Sequence, residues 1–411
     1  MIKDKSDNEA LSTIKKASEE ICLDLSDAKV RRTSSRLCLS VEHGDYNGTN
    51  LFGVGVNRFL WFAYKASENK QSKLYSLNFP EEGVCNFSID RIPYPFSPKV
   101  KDKWLRFLLG VIYILRKNGF NITKGIEGIL YSNIPGGGMS RSASLTLNLI
   151  ISLLDVNNIE IKELFKIIKM AQAVENDYIG SPCGNLDQTM ILFAKAGKGT
   201  HFNPYSNAIE YIDLPPNTPD FRFVILDTGT ERPGLEKSAY KIRRNECEAL
   251  LSILQKEGFN IQSLADIDKN MYEKIKSECS YLNANYFKRL KYIFEAKERF
   301  SEMLASWKNG DIENVGRLFR LDGIGLRDNY QISGPELDTM CGIVHGIPGV
   351  LGERLLGGGE KGAACAIVLS DSIEKVKRTI AEKYPKKHPE YASKYQVYAL
   401  NIVDGMKLML N

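Results

Sequence analysis

The stretch Pro135-Gly136-Gly137-Gly138-Met139-Ser140-Arg141-Ser142-Ala143 carries the clearest chemical signal in this chain, because it leads directly into an apolar run that ends near residue 156. Three consecutive glycines let backbone N–H groups turn toward a ligand without interference from a Cβ. A helix beginning at Ser140 to Ser142 would add free N–H donors and a positive dipole end, which together receive phosphate. Ser142 adds a hydroxyl of the kind that ligates a Mg²⁺ ion between phosphates. The loop is neither GxxxxGK[ST] nor GxGxxG, so it is not a Walker loop or a dinucleotide fingerprint. Glycine-rich turns without a ligand share this composition, so both readings stay open from the loop alone.

A second group, Glu42-His43-Gly44-Asp45-Tyr46, places two carboxylates and an imidazole in a few residues at a strand-to-loop junction. Such groups suit vicinal hydroxyls, since each carboxylate accepts two bonds and His can donate or accept. A solvated turn with an Asx cap has the same residue types. Arg36 stands upstream of Glu42 at the start of an apolar strand, a place also taken by edge residues. Asp187 follows Cys183-Gly184-Asn185-Leu186, where an N-cap would equally sit. Glu175 lies in AQAVENDY on a helix, where a surface carboxylate is as common.

The elements that must position these groups follow from periodicity. Residues 1–30 read as one amphipathic helix, with Leu11, Ile14, Ala17, Ile21 and Leu25 at helical spacing. Residues 36–67 read as strand, loop and strand, with Asn47-Gly48 as the turn dipeptide. A helix over 100–117 is closed by Asn118-Gly119. A strand over 125–134 feeds the glycine loop, and residues 160–179 are helical. Residues 180–197 form a loop, a short helical or extended piece and a glycine turn. Residues 200–230 alternate like strands, and the chain is then mainly helical to about residue 340. A second glycine cluster precedes an apolar run over 353–368, and VYALNIV (397–403) reads as a last strand. The pattern is α+β and not strictly alternating βα, which disfavours a doubly wound dinucleotide fold. With 411 residues the chain exceeds what one core usually supports, and the polar stretch HFNPYSN suggests a boundary between a first lobe, 1–205, and a second, 206–411.

Composition narrows the function classes. The net charge of +5 is spread along the chain without a Lys/Arg block, which argues against a nucleic-acid surface and suits an enzyme with anionic ligands. Eight cysteines show neither CxxC nor zinc-ligand spacing, as expected of reduced thiols in a reducing compartment. The polar N-terminus lacks a signal-peptide core, and no run approaches the roughly 20 apolar residues of a membrane span. A cytoplasmic protein with no membrane and no nucleic-acid partner is expected. Trp61, Trp104 and Trp307 read as packing residues, and His201, His345 and His388 show no ligand spacing.

Taken together, SRLCLSVEHGDYN (35–47), GGGMSRSASL (136–145), AVENDYIGSPCGNLDQ (173–188) and GERLLGGGEKGAAC (352–365) resemble the galactokinase branch of the GHMP small-molecule kinases. Two weaker matches, SAYKIRRNECEA (238–249) and LRDNYQISGPELD (326–338), lie between them in family order. The resemblance implies a two-lobed GHMP kinase fold, with an N-terminal ribosomal-protein-S5-like lobe, a C-terminal ferredoxin-like lobe and a cleft between. It implies ATP-dependent phosphorylation of galactose, or a galacto-configured sugar, at the anomeric hydroxyl. Asp187 would accept the proton of that hydroxyl, with Arg36 beside it. Glu42, His43, Asp45, Gly184 and Tyr240 would hold the sugar. Gly136, Gly137, Gly138, Met139, Ser140, Arg141 and Ser142 would wrap the phosphates, and Ser142 and Glu175 would coordinate Mg²⁺. Trp104 matches a segment on the adenine side. The expected partners are ATP, Mg²⁺ and a small sugar, with the chain a monomer or a weak homodimer.

The chain departs from the family pattern at several positions. Ser34-Ser35 replace Pro-Gly before Arg36, and Cys38-Leu39-Ser40-Val41 replace Asn-Leu-Ile-Gly. Arg141 replaces Ser, Val174 and Asn176 flank Glu175 in place of Ala and His, Leu356 replaces Thr or Ser, and Glu360-Lys361 replace an aromatic and a Gly. A GHMP kinase for another small alcohol or for a uronic, amino or pentose sugar is therefore an alternative, and Arg58 or Lys361 reaching the pocket would favour an anionic substrate. A catalytically silent sugar- and ATP-binding regulator is the third reading, weakened by the presence of Ser142-Ala143 and Asp187.

Overall fold

A computed structural model of the chain describes residues 5–95, 97, 104–231 and 239–409. It opens with α1 (Lys5–Glu20), β1 (Lys29–Ser40), β2 (Leu51–Ala66), β3 (Gln71–Ser76) and β4 (Cys85–Ser88). Then come α2 (Leu105–Lys117), β5 (Ile126–Ser132), α3 (Arg141–Val156), α4 (Leu164–Ala173) and α5 (Leu186–Leu192). β6 (Lys198–Asn203) and β7 (Ala208–Asp213) form a hairpin, and β8 (Phe221–Asp227) follows. A helical block holds α6 (Ala239–Lys256), α7 (Lys269–Glu278), α8 (Ala284–Lys308), α9 (Ile312–Gly325) and α10 (Pro335–Val344). The chain closes with β9 (Val350–Leu355), β10 (Ala363–Leu369), α11 (Ile373–Lys387), β11 (Gln396–Leu400) and β12 (Met406–Met409).

Two sheets organise these elements. The larger runs β12-β1-β2-β5-β3-β4, with β6 also paired to β2 and β7 to β6. The smaller runs β11-β8-β10-β9 and is antiparallel throughout. In chain order its strands are the first, second, third and fourth of a split βαβ pattern, with the helical block after β8 and α11 after β10. That is the ferredoxin-like arrangement expected of the second half.

The first helix is shorter than its periodicity suggests. It stops at Glu20, Cys22 takes a left-handed φ of 51°, and the chain is already in β1 by Lys29. Leu23 and Leu25 do pack in the same apolar cluster as Ala10, Ile14 and Ala17, but from an irregular segment. A shared burial face thus imitated continued helical spacing. Of the helix expected over 100–117, residues 105–117 form α2, and 100–103 lie outside the described residues. VYALNIV contributes β11 but is not the last strand. β12 returns to the larger sheet and pairs with β1 from Val30 to Thr33, covering an edge that would otherwise be open.

The polar stretch near residue 205 is the turn of the β6–β7 hairpin. Asn203 accepts from the Tyr205 N–H at 2.9 Å, and Asn207 takes a φ of 53°. Polar turn chemistry looks the same as a linker in sequence, and here both flanking strands belong to the larger sheet. Among the described residues, no helix is long and apolar enough to cross a membrane. All eight cysteines are free, and most are buried.

Candidate active site

A cavity of about 460 Å³ opens where the end of β1, the start of α3, the start of α5 and the β9–β10 turn converge. That volume suits a small-molecule site, which typically occupies roughly 300–1,000 Å³. Its wall includes Arg36, Glu42, His43, Asp45, Glu175, Gly184, Asp187 and Tyr240, together with Gly136, Gly138, Met139, Ser140, Arg141 and Ser142. Gly137 is the expected phosphate-loop residue that is not on this wall. A Cβ on Gly137 would lie 2.6 Å from the Cα of Gly362, so this glycine serves the close packing of the two glycine clusters.

Arg36 is the hinge of the site. It enters from β1, is 97% removed from solvent at its side chain, and donates to Asp187 Oδ1 through Nε at 2.7 Å and Nη2 at 2.6 Å. Its Nη1 donates to the Gly138 carbonyl at 3.1 Å, so one guanidinium grips both the α5 carboxylate and the glycine loop. Burial pushes the Arg36 group down, but Asp187 and Glu42 outweigh it and the net shift is upward. Asp187 keeps 34% of its side chain exposed toward the cavity. It lies in the first turn of α5, after the N-cap Asn185, and so is not the cap itself. Ser35, where the family has Gly, donates from Oγ to the Met139 carbonyl at 2.6 Å, a second tie from β1 to the loop.

The loop ends in a shape that suits phosphate. Ser140 occupies the N-cap position of α3 with a left-handed φ of 54°, and its buried hydroxyl has no hydrogen-bond partner among the described residues. Among the described residues nothing lies within 4 Å of where a Cβ on Gly136 would be. Arg141, the first residue of α3, is half-buried, with its guanidinium 5.6 Å from the centre of the Phe79 ring. No acidic side chain pairs with Arg141 among the described residues, and burial pushes its guanidinium down.

Glu175 approaches from the π-helical turn after α4 and is buried. It accepts from Gln188 Nε2 at 3.3 Å and from the Ser142 hydroxyl. Burial, with the Asp187 charge second, pushes its carboxyl up to about 8, against the two hydrogen bonds. Among the described residues no Lys, Arg or His pairs with it. A buried carboxylate beside a hydroxyl, with no cationic partner, is an oxygen donor set that fits a hard divalent cation.

Asp45 and Gly184 face each other across the opposite end. Asp45 accepts from the Tyr46 N–H and the Leu186 N–H, both at 3.0 Å. Burial pushes its carboxyl up to about 6, with the two backbone bonds opposing and Asp187 and Glu42 adding to the rise. Tyr240 accepts from the Gly184 N–H at 3.2 Å and packs 4.9 Å from the His43 ring centre. His43 Nδ1 shares a hydrogen bond with the Tyr46 hydroxyl at 2.7 Å, and Tyr46 in turn meets the Tyr330 hydroxyl at 2.7 Å. Asn176, where the family has His, brackets Cys183 by accepting from its N–H at 2.7 Å and donating to its carbonyl at 3.2 Å. That substitution therefore steadies the loop that carries Gly184.

The apolar end of the cavity is lined by Trp104, Phe79, Phe107, Leu145 and Ile179. Trp104 Nε1 is buried and has no acceptor among the described residues, and the aromatic lining of this end fits a heteroaromatic base. Arg58 and Lys361 are not on the wall: Arg58 stacks 4.1 Å from the Tyr398 ring, so it brings no positive charge to an anionic sugar. Glu360 turns away and accepts from the Ala239 N–H at 2.8 Å. Reasoning from sequence left out Arg354, Asp322 and Tyr292, whose side chains meet behind Glu42. It also left out the hydroxyl ladder through Tyr46 and Tyr330.

The chain is similar to proteins of known family. The family model described as GHMP kinases N terminal domain matches residues 106–195. A galactokinase of Clostridium acetobutylicum is 33% identical over 90% of this chain and 92% of that protein. A galactokinase of Limosilactobacillus fermentum is 33% identical over 89% of this chain and 91% of its own length. The crystal structure of Lactococcus lactis galactokinase complexed with galactose superposes with a TM-score of 0.88, at 27% identity, covering 97% of this chain and 100% of that one. The Methanococcus jannaschii mevalonate kinase structure shares the fold at a TM-score of 0.61 and 16% identity, covering 91% of this chain and 98% of that one.

Proposed function

This chain belongs to the galactokinase family of GHMP kinases, and from that membership we propose that it transfers the γ-phosphoryl group of ATP to the anomeric hydroxyl of galactose. The observation that carries the proposal is the double grip of Arg36, which holds the cavity-facing Asp187 carboxylate and the phosphate-loop carbonyl of Gly138 with one guanidinium. It sets a proton acceptor next to a phosphate cradle.

In this reading the sugar lies between Glu42, His43, Asp45, Gly184 and Tyr240, with its anomeric hydroxyl toward Asp187. The hydroxyl oxygen bonds to the γ-phosphorus, the bond from that phosphorus to the bridging oxygen breaks, and ADP leaves with the electron pair. Asp187 takes the hydroxyl proton, and Arg36 holds the carboxylate in place through its Nε and Nη2 donors. Arg36 also adds positive charge where phosphoryl transfer gathers negative charge, and no covalent intermediate is needed. The backbone of Gly136 and Gly138, the Ser140 hydroxyl and Arg141 would receive the phosphates. Ser142 and Glu175 would hold Mg²⁺, which when bound neutralises phosphate charge. Trp104 and its apolar neighbours would take the adenine. The free thiols suit a reducing compartment such as the cytoplasm, and the chain itself would work as a monomer or a weak homodimer.

The test is ADP release with MgATP against galactose, galactosamine, N-acetylgalactosamine, galacturonate, arabinose and glucose, with the Asp187→Asn protein in parallel. A rate with galactose that is absent in the variant supports the assignment. No rate with galactose, alongside a rate with another acceptor in the panel, would replace the substrate, and no rate with any of them would overturn the kinase reading.

A further inference from the structure

We propose that Arg354, on β9 in the smaller sheet, is a positioning residue that orients the Glu42 carboxylate at the sugar end of the cavity from across the two lobes. The inference rests on the galactokinase reading, in which Glu42 meets sugar hydroxyls.

The geometry is specific. The Arg354 side chain is fully buried, and its Nη2 donates to Glu42 Oε2 at 3.0 Å and to the Cys38 carbonyl of β1 at 2.6 Å. Its Nη1 donates to Asp322 of α9, and its guanidinium lies 4.5 Å from the centre of the Phe319 ring. The Tyr292 hydroxyl of α8 lies between Glu42 and Asp322, 2.8 Å from the Glu42 carbonyl and 3.2 Å from Asp322 Oδ1. A planar guanidinium presents its donors at fixed angles, so Arg354 meets Glu42, the Cys38 carbonyl and Asp322 at once, which a point charge on a flexible stem does not. Glu42 is thereby fixed on its back side by residues of the second half of the chain, while its front belongs to the cavity.

Charge makes the contact necessary. Burial pushes the Glu42 carboxyl up, and Arg354 followed by Arg36 pulls it back, leaving a net rise. The like charges facing it are Asp187 from α5 and Asp322 from α9. Asp45, the un-ionised Cys38 and Tyr292, and the adjacent cavity-lining His43 are further titratable groups around it. Arg36 is already committed to Asp187 at 2.7 Å, so Arg354 is the cation in direct contact with Glu42. Weakening Arg354 would let Glu42 take up a proton at higher pH and swing from its place.

The experiment compares Arg354→Lys, Arg354→Met, Glu42→Gln and the double variant Arg354→Lys/Glu42→Gln, each checked by thermal melting, for galactose KM, MgATP KM and kcat between pH 6 and 9. The expected result for Arg354→Lys is a galactose KM raised roughly tenfold with MgATP KM nearly unchanged. That rise should steepen toward acid pH, and the added pH dependence should vanish in the double variant because the titrating group is gone. Arg354→Met should show a larger effect of the same kind. If it fails to fold, as removal of one partner of a buried pair can cause, the lysine variant decides alone. An unmoved galactose KM in folded Arg354→Lys would overturn the proposal. So would equal changes in both KM values, or a pH dependence that survives Glu42→Gln. Wild-type protein measured alongside separates the two levels: no galactose turnover by the wild type defeats the functional reading, not this one.

Discussion

Gly184 sits so close to Asp45 that a Cβ on it would lie 1.7 Å from Asp45 Oδ2. The contact joins the loop before α5 to the loop after β1, and both loops line the same end of the cavity, where the proposed function puts the sugar. Asp45 can accept from the Leu186 N–H only because Gly184 offers no side chain. Gly184→Ala should therefore push Asp45 out of place, at a cost of about 1–3 kcal/mol for overpacking. Steady-state kinetics should show a galactose KM raised roughly tenfold or more, with MgATP KM little changed. Equal losses for both substrates would mean that the contact supports the fold and not the sugar.

The same carboxylate should leave a mark on stability. Asp45 rises from 3.8 to about 6 in the folded protein, chiefly through burial. Below 3.8 both states are protonated. Between 3.8 and about 6 the unfolded chain loses its proton first, so the folded state binds more protons and stability falls as pH rises. Above about 6 the full penalty stands, corresponding to about 3 kcal/mol. Asp45→Asn removes the charge but keeps only one good acceptor for two N–H donors, so its net gain above pH 6 should be roughly 1–2 kcal/mol. Chemical denaturation of both proteins from pH 4 to 8 should show the difference growing and then levelling. A difference independent of pH would count against burial as the cause.

Residues that act through their own local backbone were legible in the sequence. Three glycines running into Ser140 and a helix were legible as local structure because turn chemistry depends on near neighbours, whereas the N-cap reading of Asp187 missed by two positions, since Asn185 is the cap. Arg36 and Asp187 are 151 positions apart, and only the family resemblance could place them together. Arg354 was missed for a related reason. An arginine between Glu353 and Leu355 looks the same in sequence whether it faces water or, as here, a carboxylate 312 positions away. Strand β12 escaped notice because four residues carry almost no periodicity, and the end of α1 was blurred by Leu23 and Leu25 sharing its buried face.

Arg141 is the departure from the family with the most direct consequence for the nucleotide. It is half-buried at the first position of α3, has no acidic partner among the described residues, and its ring neighbour Phe79 also lines the cavity. A half-buried cation is only partly solvated, and an anion that meets it restores what is lost. Arg141→Ser should leave melting unchanged or slightly raised and should increase MgATP KM roughly tenfold, the loss of one charge-assisted hydrogen bond. Galactose KM should stay nearly constant. Unaltered nucleotide kinetics would show that the guanidinium points away from the phosphates.

Asp187→Asn tests the chemical step itself. The amide can still accept from Arg36, so the cavity wall and its link to Gly138 should persist. What the amide cannot do is hold the proton released by the sugar hydroxyl. General-base loss predicts turnover reduced about 100-fold or more, while galactose affinity by calorimetry should remain within a few-fold of wild type. Loss of the Asp187 charge leaves the buried Arg36 guanidinium facing a neutral group, so a modest drop in melting temperature is also expected. A variant that turns over at near wild-type rate would remove Asp187 from the proton path and leave Arg36, through its charge alone, as the catalytic group at this junction.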